Sequence, residues 1–405
     1  MSNEKKYDIV VYGATSFVGQ ILAKYMHEQF GDTALTYALA GRSLSKLESV
    51  KAELGTPDRD VIVADAADED ALTAMCENAR VVISTVGPYA LYGEPLVKIC
   101  AQTGTDYCDL TGETQFIKRM QDRYADLAAQ SGARIVHCCG FDSIPSDLGV
   151  HFLQNRAVEQ FGKTCPDVKM RVAVMKGAAS GGTIASMVNI FKEIKKDKTV
   201  RKVLVDPYAL CPQGHGFTAR QHNTKMEYDD DVESWLAPFV MAGINTRIVH
   251  RSNALSAKRY GDQFLYEEAM MTGSGKAGKS RARKMLWGLG AFMAGASMGP
   301  IRWMLERFIL PKPGSGPTPE QQVKGKYVLL FRGTTEDGDT IKTRVTGDQD
   351  PGYGSTAKML GQAAACLAQD VATDTPGGFW TPATLLGDKL IDRLESHSGV
   401  TFKVD

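Results

Sequence analysis

The chain is 405 residues long, which is more than one compact core usually holds, so two domains are expected. Its 47 lysine and arginine residues balance 47 aspartate and glutamate residues, and 43% of the chain is hydrophobic. Without an excess of positive charge the chain has no means of holding a polyanion, which excludes nucleic acid as a partner. The N-terminal sequence MSNEKK carries no apolar run and no cleavage site, which predicts a cytoplasmic protein.

The cysteines and histidines predict no metal site. The eight cysteines form no C-x-x-C pair, and the adjacent Cys138 and Cys139 lie in an apolar run, a pattern typical of reduced, buried thiols. The histidines between residues 137 and 250 show no metal-ligand spacing.

The first part of the chain alternates short β-rich runs with helical patterns, which predicts a parallel, doubly wound sheet. The predicted strands are Asp8–Tyr12, Leu35–Ala40, Val61–Val63, Val81–Ser84 and Ile135–Val136, with a helix from about Phe17. From about Asp147 the pattern changes to that of an α+β domain, with a half-buried strand at 167–176 and a helix at 183–196.

A glycine-containing turn joins the first predicted strand to the first helix, which is the position of a dinucleotide-binding turn. Gly13 permits the tight turn, Gly19 permits close packing of helix and strand, and the backbone of Thr15, Ser16, Phe17 and Val18 approaches the pyrophosphate. Ser16 replaces the glycine usual at its position, and its hydroxyl can donate to a phosphate. The alternative is a strand-to-helix turn without a ligand.

The residues after the second strand select the cofactor. An NAD enzyme places a carboxylate there, whereas this chain has Arg42, Ser43 and Lys46, which suit the 2′-phosphate of NADP. The alternative is a solvated helix start with incidental charges. Asp65, after the third strand, is interpreted either as an acceptor for the adenine amino group or as a helix N-cap.

The loop after the fourth strand lies nearest to the nicotinamide in a sheet of this kind. Thr85, Val86, Gly87 and Pro88 are therefore predicted to contact the cofactor, and Tyr89 or Tyr92 to orient the nicotinamide or donate a proton. The chain contains no Tyr-x-x-x-Lys pair, which argues against a short-chain dehydrogenase.

Further polar side chains follow later strands. Tyr107 and Asp109 are predicted acid–base residues together with Tyr89, and the alternative for each is a cap or a turn. Ser180, Gly181, Gly182 and Thr183 precede a helix, whose free amides can hold a substrate carbonyl, carboxylate or phosphate unless they are merely capped.

In residues 274–310, five basic side chains between 276 and 284 lead into an uncharged run at Met285–Ile301. Trp303 and Phe308 follow in an amphipathic turn. Three interpretations stay open: an interfacial hairpin or lid over an acyl site, a buried core helix, and a membrane span. The basic lead favours the first, because a core helix does not need it.

Several motifs resemble the saccharopine dehydrogenase-like oxidoreductases and, within them, the branch that includes mycobacterial trans-acting enoyl reductases. The motifs that carry this resemblance are Thr85–Tyr89, Tyr92–Gly93, Tyr107–Glu113, Gly140–Asp147, Ser180–Thr183, Pro238–Met241, Asn245–Arg247, Ser252–Leu255 and Gly352–Met359. They extend over nearly the whole chain.

The resemblance implies an α/β fold in which a Rossmann-type doubly wound parallel sheet is interrupted by a second α+β domain, with a C-terminal segment returning to the first. The expected domains are residues 1–146 for NADP, 147–350 for the substrate, and 351–405 for the return. Apolar positions at 359–367 and a second helix around Leu385–Leu394 support this return, because both helices need a partner surface.

The resemblance also implies NADPH-dependent reduction of a carbon–carbon double bond in a hydrophobic acyl (enoyl) substrate. The alternatives are a saccharopine-type imine or carbonyl reductase and a lipid-associated NADP-binding protein without turnover. The expected partner is a hydrophobic small-molecule or acyl substrate. A peripheral contact with the inner face of the membrane and a homodimer are left open.

Overall fold

The computed structural model describes residues 5–177, 181–298 and 316–405, and the chain forms two compact units. The first unit comprises Met1–Ile144, Gly314–Gly316 and Gly352–Gly399. The second unit comprises Pro145–Pro313, Pro317–Pro351 and Val400–Asp405. Each unit is built on its own seven-stranded sheet.

The sheet of the first unit is parallel throughout. Its strands are β1 (Tyr7–Tyr12), β2 (Tyr37–Gly41), β3 (Val61–Val63), β4 (Ala79–Ser84), β5 (Asp106–Asp109), β6 (Arg134–Val136) and β13 (Gly378–Trp380). They lie in the order β13-β6-β5-β4-β1-β2-β3. This is the doubly wound Rossmann order with one strand added at the β6 edge, so the strands on the two sides of the β1–β4 pair wind in opposite directions.

The helices of the first unit cover both faces of this sheet. They are α1 (Phe17–Phe30), α2 (Leu44–Leu54), α3 (Glu69–Glu77), α4 (Tyr89–Tyr92), α5 (Glu94–Thr103), α6 (Thr114–Ser131), α13 (Gly354–Gln369), a π-helix (Pro382–Leu386) and α14 (Gly387–His397). Helix α13 is rich in small residues and almost entirely buried, and it packs on α1, β4, β5 and β1. The return of the C-terminal segment to the first sheet is therefore confirmed.

The cysteines are all free and buried. The Sγ atoms of Cys76 and Cys100 lie 3.6 Å apart, and burial raises the pKa of the Cys100 thiol well above its ordinary value. The prediction of reduced, buried thiols is confirmed.

The second unit has a mixed sheet in the order β14-β12-β11-β7-β10-β9-β8. The strands are β7 (Asp167–Lys176), β8 (Tyr228–Asp229), β9 (Ser234–Pro238), β10 (Leu265–Gly273), β11 (Lys326–Thr334), β12 (Thr340–Gly347) and β14 (Val400–Val404). Strands β7 and β10 are parallel, and the other pairs are antiparallel. The predicted α/β fold with a second α+β unit is confirmed.

The helices of the second unit are α7 (Ile144–Phe161), α8 (Gly181–Lys196), α9 (Lys198–Val205), α10 (Ala242–Leu255), α11 (Gly275–Ser297) and α12 (Pro319–Val323). The charged, glycine-containing stretch before Met285 forms the first turns of α11. Ala282 is buried there, and Arg281 Nε donates to the carbonyl of Thr272 at 2.7 Å. Packing against β9 and β10 therefore overrides the low helix propensity of glycine.

Two strands lie where the apolar pattern showed none. Strand β5 has the sequence Asp-Tyr-Cys-Asp, so its first and last residues are acidic and it lacks an apolar run, although all four residues are buried. Strand β14 lies at the end of the segment 351–405, which was expected to return to the first domain, but this strand pairs with β12 in the second sheet. Trp303 and Phe308, predicted in an amphipathic turn, lie outside the described residues.

Candidate functional site

A groove of about 530 Å³ opens at the carboxyl ends of the strands in the first unit. Loops after four strands form its walls. The lining residues are Tyr12, Gly13, Thr15, Ser16, Gly41, Arg42, Ser43, Lys46, Asp65, Ala66, Ala67, Thr85, Val86, Gly87, Leu91, Tyr92 and Pro95. The groove therefore lies where the winding of the sheet reverses, which is the binding position in doubly wound folds.

The turn between β1 and α1 has no room for side chains at its glycines. Gly13 has φ +88°, and a Cβ there would lie 2.6 Å from Thr85 Oγ1 and 2.8 Å from Val86 Cγ2. A Cβ on Gly19 would lie 2.0 Å from the carbonyl oxygen of Gly13. The chain thus needs glycine at both positions, and the backbone of the turn is open to the groove.

Ser16 caps α1, since its Oγ accepts from the amide of Gly19 at 2.9 Å and lies 3.1 Å from Thr85 Oγ1. The predicted donation from Ser16 to a phosphate therefore competes with two contacts inside the protein. Phe17 and Val18 are the first residues of α1, and the ring of Phe17 packs edge-on against Tyr353 at 4.9 Å. The amides at this helix start precede the first helical hydrogen bond, which favours an anion in front of them.

The basic end of the groove follows β2. Arg42 and Lys46 are exposed and line the groove, and Ser43 precedes α2 without capping it by its side chain. Asp65 accepts from the amide of Ala67 at 2.9 Å, whereas Asp68 caps α3. The alternative that Asp65 is the helix cap is therefore wrong, and its carboxylate lies on the groove wall.

The β4 side of the groove is formed by the loop at 85–88 and by α4. Thr85 Oγ1 donates to the carbonyl of Gly13 at 3.0 Å, which ties this loop to the turn after β1. Val86 and Gly87 line the groove, and Pro88 precedes the first residue of α4. Leu91 and Tyr92 project from α4 into the groove and are 56% and 49% exposed.

Tyr89, the first residue of α4, does not line the groove. It is buried, and its hydroxyl donates to the carbonyl of Ser84 at 2.9 Å. Burial, followed by the carboxylates of Asp109 and Glu113, raises the pKa of Tyr89 well above its ordinary value. The structure therefore turns this predicted catalytic hydroxyl into the core and places Tyr92 in the groove instead.

Tyr107 and Asp109 form a buried network at the end of β5. The Tyr107 hydroxyl donates to Asp109 Oδ2 at 2.9 Å, and His137 Nδ1 lies 2.7 Å from the same oxygen. Asp109 Oδ1 accepts from the amide of Thr111 at 3.1 Å. Burial and the neighbouring Asp109 raise the pKa of Tyr107 well above its ordinary value. These groups join the ends of β5 and β6, and they do not line the groove.

The predicted substrate contacts fall at the start of α8. Gly181, Gly182 and Thr183 form its first turn, and Ser180 lies outside the described residues.

The groove fits a dinucleotide that carries an additional phosphate. Its central turn excludes side chains, the start of α1 offers backbone amides, and Arg42 and Lys46 supply positive charge at the β2 end. Leu91 and Pro95, which also line the groove, were absent from the predicted site. Their proximity in sequence to Thr85–Pro88 was the available signal.

Known proteins resemble the chain along its whole length. Residues 9–136 match the saccharopine dehydrogenase NADP binding domain. The trans-acting enoyl reductase of Mycobacterium tuberculosis is 38% identical, over 96% of this chain and 96% of that protein. A second M. tuberculosis protein assigned to this group is 39% identical over 98% and 97%, and the trans-acting enoyl reductase of Mycobacterium ulcerans is 37% identical over 97% and 96%.

Two solved structures share the fold. Saccharopine dehydrogenase (L-Glu forming) from Saccharomyces cerevisiae is 13% identical with a TM-score of 0.54, over 98% of this chain and 99% of that one. Homospermidine synthase from Legionella pneumophila, in complex with NAD, is 10% identical with a TM-score of 0.52, over 99% and 92%. The chain is therefore an NADP-dependent oxidoreductase that belongs to the saccharopine dehydrogenase-like family, in the group of the trans-acting enoyl reductases.

Proposed function

We propose that this protein reduces a carbon–carbon double bond in a hydrophobic acyl substrate, with NADPH as the reductant. The observation that carries the proposal is the identity of 38–39% to trans-acting enoyl reductases over 96–98% of this chain. A match confined to residues 9–136 would support the cofactor alone. The longer match includes the second unit and therefore supports the substrate class as well.

When bound, NADPH supplies the hydride, which goes to the β-carbon of the acyl group. The backbone at Gly13 and the first amides of α1 hold the pyrophosphate. Arg42, Ser43 and Lys46 hold the 2′-phosphate, and Asp65 accepts from the adenine amino group. The first turn of α8 offers amides to the substrate carbonyl.

The proton for the α-carbon comes from Tyr92 or from water. Of the tyrosines predicted near the chemistry, Tyr92 lines the groove, whereas the hydroxyls of Tyr89 and Tyr107 donate to Ser84 and Asp109 inside the protein. The catalytic roles of Tyr89, Tyr107 and Asp109 stay predictions, and their contacts support a structural part in joining the strand ends.

The test is NADPH oxidation with short- and long-chain α,β-unsaturated acyl thioesters, compared with 2-oxo acids plus amines. We expect turnover with the thioesters and a preference for long chains. Turnover with the 2-oxo acids instead would establish the imine reductase, and tight NADPH binding without turnover on either class would leave a binding protein. Tyr92→Phe should lower kcat without weakening NADPH binding.

The proposal also includes a peripheral contact between α11 and an anionic lipid surface. Trp287 is 73% exposed, and Met285 and Met293 of the same helix are exposed as well. The basic side chains of Lys276 and Lys284 lie earlier on this helix. Apolar and cationic groups on one helix are what an interfacial contact requires. Among the described residues no helix has the length and apolarity needed to cross a membrane.

A further inference from the structure

Glu113 is a fully buried carboxylate that makes no contribution to the groove wall. Its Oε1 accepts from the amide of Tyr89 at 2.8 Å, and its Oε2 accepts from the amide of Ala90 at 2.9 Å. Both oxygens therefore bind the start of α4, from a position more than twenty residues later in the chain. Burial of a carboxylate destabilises the folded state unless hydrogen bonds compensate for the lost solvation. The two amides supply such hydrogen bonds, and an ionised acceptor binds them more strongly than a neutral one.

The first turns of α6, which follow Glu113, hold α4 at further points. Arg119 Nη2 donates to the carbonyl of Ala90 at 3.1 Å. A Cβ on Gly93 would lie 2.8 Å from Phe116 Cζ, so the end of α4 rests directly on this ring. The start of α6, from Glu113 to Arg119, thus contacts two amides, one carbonyl and the C-terminal end of α4.

This clamp of Glu113, Phe116 and Arg119 decides which residues of α4 reach the groove. With its amides and its end held, α4 places Tyr89 in the core and projects Leu91 and Tyr92 outward. A helix of four residues has too few internal hydrogen bonds to keep its orientation alone. The orientation of Tyr92 therefore depends on α6.

We propose that Glu113 is a positioning residue for the reaction, acting through α4 to hold the Tyr92 phenol in the cofactor groove. This inference rests on the proposed enoyl reduction. Glu113 does not line the groove, and its two carboxylate oxygens accept from the amides of Tyr89 and Ala90.

The first measurement is hydrogen exchange in the peptide covering residues 87–93, in the full chain saturated with NADPH. Glu113→Gln keeps the size of the side chain but presents an NH₂ group to one amide, so one of the two hydrogen bonds is lost. Loss of one charge-assisted bond should speed exchange in this peptide by about tenfold. The second measurement is kcat with an enoyl thioester, which should fall by about tenfold or more while the Kd for NADPH changes by less than about twofold.

Asp106→Asn is the matched control. Asp106 is also buried, but it accepts from the backbone amide and the guanidinium of Arg134. These two residues begin β5 and β6, so they lie at the amino ends of the strands, away from the groove. Asp106→Asn should lower the stability of the unit and leave both exchange at residues 87–93 and kcat unchanged. Arg119→Met removes one outer contact of the clamp. It should change exchange at residues 87–93 and kcat in the same direction as Glu113→Gln, but by less. This second variant keeps the proposal testable if Glu113→Gln does not fold.

The two readouts separate the two proposals. Faster exchange in Glu113→Gln combined with absence of enoyl turnover in the unmodified protein would support the clamp and overturn the proposed function. Unchanged exchange, or a loss of kcat in Asp106→Asn equal to that in Glu113→Gln, would overturn the positioning role.

Discussion

The two sheets of this protein differ in how their faces are covered. Strands β2 and β5 of the first unit are buried at every position, as expected of a parallel sheet with helices on both faces. Strands β11 and β12 of the second unit alternate between buried and more exposed residues. The first sheet can therefore offer a ligand only the edge where its strands end, whereas the second also presents an open face.

The second sheet also holds buried charges that pair with one another. Arg171 is 4% exposed, and its Nε lies 2.7 Å from Asp229 Oδ2, with Glu267 as its second partner. The groove of the first unit instead keeps Arg42 and Lys46 free for a ligand. The difference is between charges that hold a fold together and charges that are available for binding, and it can be tested by substitution in each unit.

The largest effect is expected for Gly13→Val. Its side chain would collide with Thr85 and Val86 and close the groove, so NADPH binding should weaken by at least about a thousandfold. The measurement is a fluorescence titration with NADPH. Gly55→Val is the matched control, because Gly55 also has a positive φ (+67°) but has nothing within 4 Å of a Cβ. Unchanged titration of Gly13→Val would place the nucleotide elsewhere.

Replacing Arg42 with Asp should weaken NADPH binding by about tenfold to a hundredfold, because a carboxylate would face the 2′-phosphate. NADH should bind as well as before or better, since Asp can accept from the ribose 2′-hydroxyl. Calorimetry with both nucleotides measures the preference. Lys24→Asp, at an exposed site on α1, is the control for the charge change alone. Equal affinity for the two cofactors in the unmodified protein would contradict the assignment.

The pH dependence of stability should carry the signature of Glu268 in the second unit. Burial raises the pKa of Glu268 from 4.5 to about 7, against hydrogen bonds from Ser146, Asn245 and Tyr266 that lower it. Between these values the unfolded chain releases the proton and the folded protein keeps it, so the stabilisation is present below the unfolded pKa and is lost as the pH rises. The slope is up to about 1.4 kcal/mol per pH unit.

Glu268→Gln removes this titration. Relative to the unmodified protein, the free energy of unfolding of Glu268→Gln should therefore increase as the pH rises from about 5 to 7, by urea denaturation at each pH. The contribution of His250, whose pKa burial lowers from 6.5 to about 3, has the opposite sign and cancels in this difference. A difference that stays constant with pH would show that Glu268 does not titrate in this window.

The smallest effect is expected for Trp287→Ser on α11. Its binding to anionic phosphatidylglycerol vesicles should be about fivefold weaker than that of the unmodified protein, because one interfacial ring is lost. Val205→Ser, at a side chain that is 68% exposed, controls for loss of any apolar surface group. Flotation of the unmodified protein and the two variants with anionic and with neutral vesicles measures this binding. Equal binding of all variants to both vesicle types would contradict the contact with an anionic lipid surface.

The cofactor groove could be predicted from the sequence because its parts are local. Gly13 and Arg42 each follow a strand directly, and the strand ends of a parallel sheet meet at one edge. The same locality made the strand at 81–84 predictable, since its continuous apolar run reflects burial on both faces.

The orientation of the α4 side chains relative to the groove could not be predicted in this way. Tyr89 and Tyr92 belong to the same short helix, yet Tyr89 is buried and Tyr92 lines the groove. The contacts that α4 makes with Glu113, Phe116 and Arg119 come from residues more than twenty positions later in the chain. Nothing in the local sequence of α4 distinguishes the two tyrosines.

By itself, then, the sequence determined the family, the cofactor-binding turn and the α/β class, because these depend on residues adjacent along the chain and on hydrophobic periodicity. Tertiary structure alone decided that Asp109 contacts His137 at the ends of β5 and β6, that the glycine-containing lead of α11 is helical and that β14 completes the second sheet. In each of these cases the deciding partner lies far away in sequence, and its hydrogen bonds or packing outweigh the weak local preference of the segment.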